Sequence, residues 1–333
     1  MPLISILMPV YNAAATLKAA IQSVVAQSFK EWELVAVNDG STDASLEILD
    51  EAARKDRRIR ILTGAHAGHV EALRSAATLA AGPLLARMDA DDVMHPRRLL
   101  LQLTRLDSPP PVDVVATRVR VLGRTGEGMR RYVDWQNRLL SHDDITANLF
   151  VESPLAHPSV LMRRDKFERA GGYRDPGWAE DFDLWHRLRE CGARFEKLPR
   201  TLLSWRDSER RLTRTHPMYS ERAFYQAKLH YFKRHPLGRG PVVVWGAGPI
   251  GRHWTRDLLR AGIDVPYVID IDPRKVGRTI AGGRVPVLPV DEGLARRPGV
   301  ILGAVGSRGA RDAIRERLAR ERLVEGRDYL FVA

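Results

Sequence analysis

The chain has 333 residues, 44% of them hydrophobic, and 53 Lys and Arg against 41 Asp and Glu give it a net charge of +12. That length and apolar content exclude a disordered chain and predict about two domains with cores of their own. No stretch approaches the roughly 18 apolar residues of a membrane span, and the single cysteine, Cys191, excludes an intrachain disulfide and fits a reducing compartment.

The basic residues are spread over helical faces, as in 54–60 and 315–322, with acids interleaved. No basic and aromatic ladder of the kind that reads single strands is present, so nucleic acid is not an expected partner. The charge suits solvated faces, or attraction to an anionic membrane surface or a phosphorylated substrate. The opening MPLISILMPVYN lacks the basic start and cleavage site of a signal peptide. A cytoplasmic location is therefore expected, with peripheral contact at the inner face of the cell membrane compatible with the charge.

Apolar runs of strand length alternate with helical patterns. Strand 5–10 precedes a helix near 13–28, and strand 33–39 precedes one near 43–55. Strand 59–63 precedes a helix near 69–81, and strand 84–89 precedes one near 96–106. This alternation predicts an α/β fold with a doubly wound, mainly parallel sheet. Ligands of such sheets sit outside the carboxyl ends of the strands, where Val10–Asn12, Asn38–Asp39 and Asp89–Asp91 fall. Residues 107–113 read as a loop, 112–123 as another strand, and HPSVLMRR (157–164) as a loop entering a strand. From Glu180, Phe182, Leu184, Trp185 and Leu188 recur at helical spacing until Gly192. Residues 217–239 read as a helical linker between a domain at 1–216 and a second, smaller α/β domain at 240–333. The second begins with a strand, Gly246, Gly248 and Gly251 in GxGxxG spacing, and a helix. Strands at 267–272, 300–305 and 328–333, with a helix near 308–322, complete it.

Four motifs carry the chemistry. Asp89, Asp91 and Asp92 crowd three like charges at a strand end, an arrangement that a hard divalent cation, Mg²⁺ or Mn²⁺, relieves. The bland alternative is that Asp92 caps the next helix. In VNDGSTD (37–43), Asp39 stands where a carboxylate can accept a base N–H, while Gly40 to Asp43 also suit a turn and a capped helix. Glu180 and Asp181 suit a helix N-terminus and equally a general base, since an ordinary aspartate is ionised at neutral pH. The glycine loop with Asp270 suits an NAD-type dinucleotide, or a turn needed only for helix–strand packing. His157 and His216 are candidate acceptor or diphosphate contacts or ordinary loop histidines, and Trp178 is a candidate wall of the acceptor pocket.

Together these residues resemble the family 2 glycosyltransferases, an inverting group with the GT-A fold. MPVYNAAATLKAAIQSVVAQSFKEWELVAVNDGSTDAS resembles the family's opening motif, ARMDADDV its DXD motif and AEDFDLWHRL its later acid motif, over about residues 1–215. The resemblance implies a nucleotide base, usually uracil, held by Pro9, Val10, Tyr11 and Asp39, with Asn12 beside them. It implies Asp89 facing the ribose or the metal, Asp91 on the divalent ion, and Asp181 as the base, with Glu180 beside it. The implied reaction moves a sugar from a nucleotide diphosphate, a UDP-sugar, to a hydroxyl acceptor on a glycan or a lipid-linked carrier, as in cell-envelope polysaccharide synthesis. Asn38 stands where the family often has an acid, and Arg74 where relatives carry an asparagine. The segment 204–216 resembles a region where a His or Arg approaches the diphosphate, which singles out His216. VVVWGAGPIGR, VIDIDPRKVGR and AVGSRGAR resemble small Rossmann-like domains appended to some bacterial glycosyltransferases. No acid, base or nucleophile flanks that glycine loop, so a sensing or assembly module is expected there. Rival readings are a sugar nucleotidyltransferase, which lacks its glycine and basic loop here, a nucleotide sensor with an inactive first domain, and an NAD-dependent oxidoreductase. The donor sugar, the acceptor and the oligomeric state are not legible.

Overall fold

A computed structural model describes residues 2–209 and 211–333. The chain divides into two compact units, one of residues up to 145 with 154–223, the other of 146–153 with 224–333. The fold class is α/β, with one sheet in each unit.

The first unit holds β1 (Ile4–Val10), β2 (Trp32–Asp39), β3 (Ile59–Gly64), β4 (Leu84–Arg87), β5 (Val93–Met94), β6 (Val114–Leu122), β7 (Leu161–Arg163) and β8 (Phe195–Arg206), in the order β3-β2-β1-β4-β7-β6-β8-β5. Every residue of β1 and β2 is buried, as expected of parallel strands covered on both faces. Their apolar side chains, Ile4, Ile6, Met8, Leu34 and Ala36, form the core with Leu17 and Val24 of the helix Ala14–Val25. Strands β1 to β4 pair in parallel, with Val10 opposite Asn38 and Asn38 opposite Thr63. Beyond β4 the sheet changes character: β7 pairs antiparallel with both β4 and β6, and β5 antiparallel with β8. The helix Glu127–Arg138 and β8 are not evident in the sequence pattern, whereas β6 and β7 fall within 112–123 and 157–164, where strands are expected. Val133 and Gln136 are the helix's two buried positions, so its apolar stripe is too thin to read.

Two loop geometries set the site. Asn12 has a left-handed backbone (φ 47°), and its Oδ1 accepts from the Thr42 N–H at 2.8 Å, fastening the end of β1 to the loop after β2. Gly40 also has positive φ (68°), and a Cβ there would lie 2.6 Å from the His66 nitrogen. Glycine thus lets the loop after β3 close over the end of β2.

The second unit holds β9 (Val242–Trp245), β10 (Val268–Ile269), β11 (Thr279–Ile280), β12 (Val285–Leu288), β13 (Val300–Gly303) and β14 (Tyr329–Phe331), ordered β11-β12-β10-β9-β13-β14. All neighbours are parallel except β11 and β12. The strand expected over 267–272 is shorter: β10 stops at Ile269, because Asp270 turns its carboxylate onto the backbone of the glycine loop. The helix Glu221–Arg234 places Tyr231 and Phe232 in this unit's core with Phe150 and Trp254. No helix among the described residues is long and apolar enough to cross a membrane.

Candidate active site

The carboxyl ends of β1, β2 and β4 carry Pro9 to Asn12, Asn38, Asp39 and, just beyond, Asp89 to Asp92. Pro9 and Val10 are buried within β1, and Tyr11, the next residue, is 49% exposed. The Tyr11 ring stacks on His66 with centroids 4.2 Å apart and planes at 22°. Asp39, buried at the end of β2, accepts from the Ala67 N–H at 2.7 Å and the Gly68 N–H at 3.0 Å, and its Oδ2 lies 2.8 Å from His66 Nδ1. Asn38 is buried and its Oδ1 accepts from the Ser41 N–H at 3.3 Å.

Past the end of β4, ligand atoms of Asp89, Asp91 and Asp92 all lie within 4.8 Å of one another. Their environments differ. Burial pushes the Asp89 carboxyl up, but the Arg87 guanidinium, 2.6 Å away, together with His69 and His157, holds Asp89 below its ordinary range. Burial and then the charge of Asp89 push Asp91 up to about 6. Asp92 is raised well above its ordinary value by burial and by both neighbouring carboxylates. Asp92 Oδ1 accepts from the Arg206 N–H at 2.7 Å. Its Oδ2 is buried and meets no hydrogen-bond donor among the described residues. Asp92 caps no helix, since the next one spans Arg98–Leu106. Three oxygen-bearing groups, crowded, partly desolvated and with one oxygen orphaned, form a donor set that suits a hard divalent cation.

Glu180 and Asp181 open the helix Glu180–Glu190. Glu180 is 2% exposed: Oε2 accepts from the Tyr219 hydroxyl at 2.7 Å, and Oε1 lies 3.3 Å from His69 Nε2 and 3.4 Å from His157 Nδ1. Burial acts to raise its pKa, but contacts with His157 and His69 hold Glu180 well below the ordinary carboxylate range. Asp181 is half-buried, and one of its oxygens accepts from the Phe182 N–H at 2.7 Å. The Trp178 indole N–H donates to Asp183 at 3.1 Å, which fixes the half-buried ring one turn from Asp181.

The two candidate histidines fall in different settings. His157 is buried, with Nε2 2.9 Å from the Tyr173 hydroxyl, and burial pulls its pKa down to about 4. His216 is exposed, and its Nδ1 accepts from the Met218 N–H at 3.4 Å ahead of the short turn Pro217–Tyr219. Arg74, where relatives carry an asparagine, donates from Nε to the Tyr173 carbonyl at 3.1 Å. His66, His69, Arg87, Arg206 and Tyr219 escaped the sequence reading. Apart from the Arg87–Asp89 pair, two positions apart, their contacts link residues 18 to 115 positions apart, so no local spacing announces them.

In the second unit, Gly246 has φ 119°, and a Cβ there would lie 2.9 Å from the Ala304 carbonyl oxygen. A Cβ at Gly251 would lie 1.6 Å from the Gly246 carbonyl oxygen. Close packing alone therefore accounts for both glycines, whereas Gly248 faces open space at the start of the helix Pro249–Arg260. Asp270 accepts from the Ala247 N–H at 2.7 Å, from Lys275 at 3.1 Å and from the Asp272 N–H at 2.8 Å.

The sequence profile described as Glycosyl transferase family 2 matches residues 5–171. The putative glycosyltransferase EpsE of Bacillus subtilis (strain 168) is 31% identical over 224 residues, covering 66% of this chain and 78% of that protein. The O-antigen biosynthesis glycosyltransferase WbnJ of Escherichia coli is 28% identical over 235 residues, covering 70% of this chain and 90% of that protein. Among solved structures, S. aureus TarS 1–349 in complex with UDP-GlcNAc superposes with a TM-score of 0.58 at 18% identity, over 71% of this chain and 68% of that one. That likeness carries the fold.

Proposed function

We propose, for a chain that belongs to glycosyl transferase family 2, that residues 1–216 transfer a sugar from a nucleotide diphosphate to a hydroxyl acceptor with inversion. The observation that carries the reading is the crowded carboxylate set Asp89, Asp91 and Asp92, whose ligand atoms lie within 4.8 Å of one another.

The donor's base goes to Tyr11 and Asp39, between the ends of β1 and β2. A carboxylate offers about four acceptor positions. In Asp39 the Ala67 N–H and the Gly68 N–H occupy two of them, while His66 Nδ1 lies 3.1 Å from the Asp39 backbone carbonyl oxygen. A position left open can accept the imide N–H of uracil, in keeping with a UDP-sugar. Asp89 and Asp91, with Asp92 behind them, are the residues that would hold Mn²⁺ or Mg²⁺. When bound, such a cation supplies positive charge against the leaving diphosphate.

Asp181 acts as the general base. Its carboxylate takes the proton of the acceptor hydroxyl as that oxygen bonds to the anomeric carbon. The bond from that carbon to the diphosphate breaks on the opposite face, so configuration inverts and the nucleoside diphosphate departs. Glu180, ionised and buried, anchors the start of the base's helix. Trp178 walls the acceptor side, and exposed His216 lies in the segment assigned to the diphosphate. The likeness to an O-antigen transferase supports a cell-envelope glycan or a lipid-linked acceptor. The net charge of +12 favours meeting such an acceptor at an anionic surface.

A screen of UDP-, GDP- and dTDP-sugars for donor hydrolysis, with Mn²⁺, Mg²⁺ or chelator, tests the reading. Release of UDP from one donor, abolished by chelator, is expected. Turnover of a GDP-sugar alone contradicts the base assignment, and turnover unaffected by chelator contradicts the metal.

A further inference from the structure

We propose that His69 is a positioning residue that ties the donor carboxylate Asp89 to the helix of the acceptor base; the inference rests on the roles assigned above to Asp89 and Asp181. His69 opens the helix His69–Leu79, and its Nε2 lies between two groups of opposite charge. Arg87 Nη2 is 3.5 Å from that nitrogen, and Glu180 Oε1 is 3.3 Å from it. The same Nη2 of Arg87 donates to Asp89 at 2.6 Å. Glu180 is held from its other oxygen by the Tyr219 hydroxyl at 2.7 Å and directly precedes Asp181. A continuous path of contacts therefore runs Asp89, Arg87, His69, Glu180, and passes through one atom.

A single imidazole nitrogen carries either a proton or a lone pair. With the lone pair it accepts from Arg87 and offers Glu180 nothing; with the proton it donates to Glu180 and offers Arg87 nothing. A neutral ring moves between these states by shifting its proton from one nitrogen to the other, with no change of charge. When a donor engages Asp89, Arg87 loses part of its partner, and the hydrogen-bond demand on His69 changes. Glu180, one residue from the base, receives that change. The atoms of His69, His157 and Glu180 also lie within 4.8 Å of one another, as a cation would need, but the Arg87 guanidinium beside the shared nitrogen opposes a cation there.

Two variants separate hydrogen bonding from ring packing. His69→Phe keeps a ring and removes both nitrogens. His69→Gln supplies a donor and an acceptor on separate atoms. The transfer rate constant should fall roughly tenfold or more in His69→Phe, the weight of one charge-assisted hydrogen bond. Calorimetric UDP affinity should change less than about threefold, and His69→Gln should recover most of the rate. A wild-type rate in His69→Phe overturns the inference, as does a His69→Gln variant no better than His69→Phe. If His69→Phe fails to fold, His69→Gln decides alone: near-wild-type rate supports the link, and a rate raised only by added Zn²⁺ in the wild type and not in His69→Gln replaces it with a metal site. Asp181→Asn is run in parallel. If it stays active, the base assignment fails whatever His69 does; if it is inactive while His69→Phe is normal, only the link fails.

Discussion

Asp92 and Asp270 are both buried carboxylates just past the end of a parallel strand, one in each unit. Their surroundings are opposite. Asp92 faces two other carboxylates, is pushed well above its ordinary pKa, and keeps one oxygen without a donor. Burial acts to raise Asp270 as well, but the Asp272 and Ala247 N–H groups and then Lys275 outweigh it and hold Asp270 below its ordinary value. The first site is electrostatically incomplete by itself, and the second completes itself from its own chain. A motif can thus be equally visible in two domains, yet only imbalance of charge points to a ligand.

Five substitutions bear on that contrast. The largest effect is expected for Asp91→Asn, which removes one of the carboxylates assigned to the cation. Steady-state transfer should drop about a thousandfold, while Asp270→Asn, measured beside it, should leave the rate unchanged. Equal losses in both would erase the contrast. Asp181→Asn should lower transfer by roughly 10²- to 10⁴-fold and leave UDP affinity intact; weakened UDP binding with a normal rate constant would move Asp181 out of the base role.

His157 sharpens the contrast through pH. Burial lowers its folded pKa to about 4 from an ordinary 6.5, so between those values the unfolded chain holds the proton and the folded chain does not. Stability then rises with pH across that window and is lost as pH falls through it, by about 3 kcal/mol. Urea unfolding from pH 7 to pH 4 should show this loss in the wild type and less of it in His157→Gln. The smallest effect is expected for Gly251→Ala, whose Cβ would collide with the Gly246 carbonyl at 1.6 Å. The variant should destabilise the second unit by about 1–3 kcal/mol with donor hydrolysis preserved at temperatures where the fold persists. Loss of hydrolysis without loss of stability would give that loop a functional part.

Much of this was legible in the sequence because it is periodic. Strands β1 to β4 and their helices follow an alternation of apolar runs, and the carboxyl ends they define carry Tyr11, Asp39 and Asp89. Beyond β4, β6 and β7 fall in stretches that also read as strands, but β8 and the charged helix Glu127–Arg138, with little apolar stripe, did not show. The partners of the candidate residues were also hidden. Nothing local connects Arg206 to Asp92, 114 positions away, or Tyr219 to Glu180, 39 positions away. In the second unit the sequence left two readings of the glycine loop open. Packing requires glycine at Gly246 and Gly251 under either reading, and Gly248 faces open space.

The most direct test of the account is the electron paramagnetic resonance signal of free Mn²⁺ titrated with protein and UDP. The wild type and Asp270→Asn should deplete the signal stoichiometrically in the presence of UDP, and Asp91→Asn should not. Equal depletion by Asp91→Asn, or UDP binding that is indifferent to Mn²⁺, would contradict the claim that the carboxylates after β4 hold a cation against the donor's diphosphate.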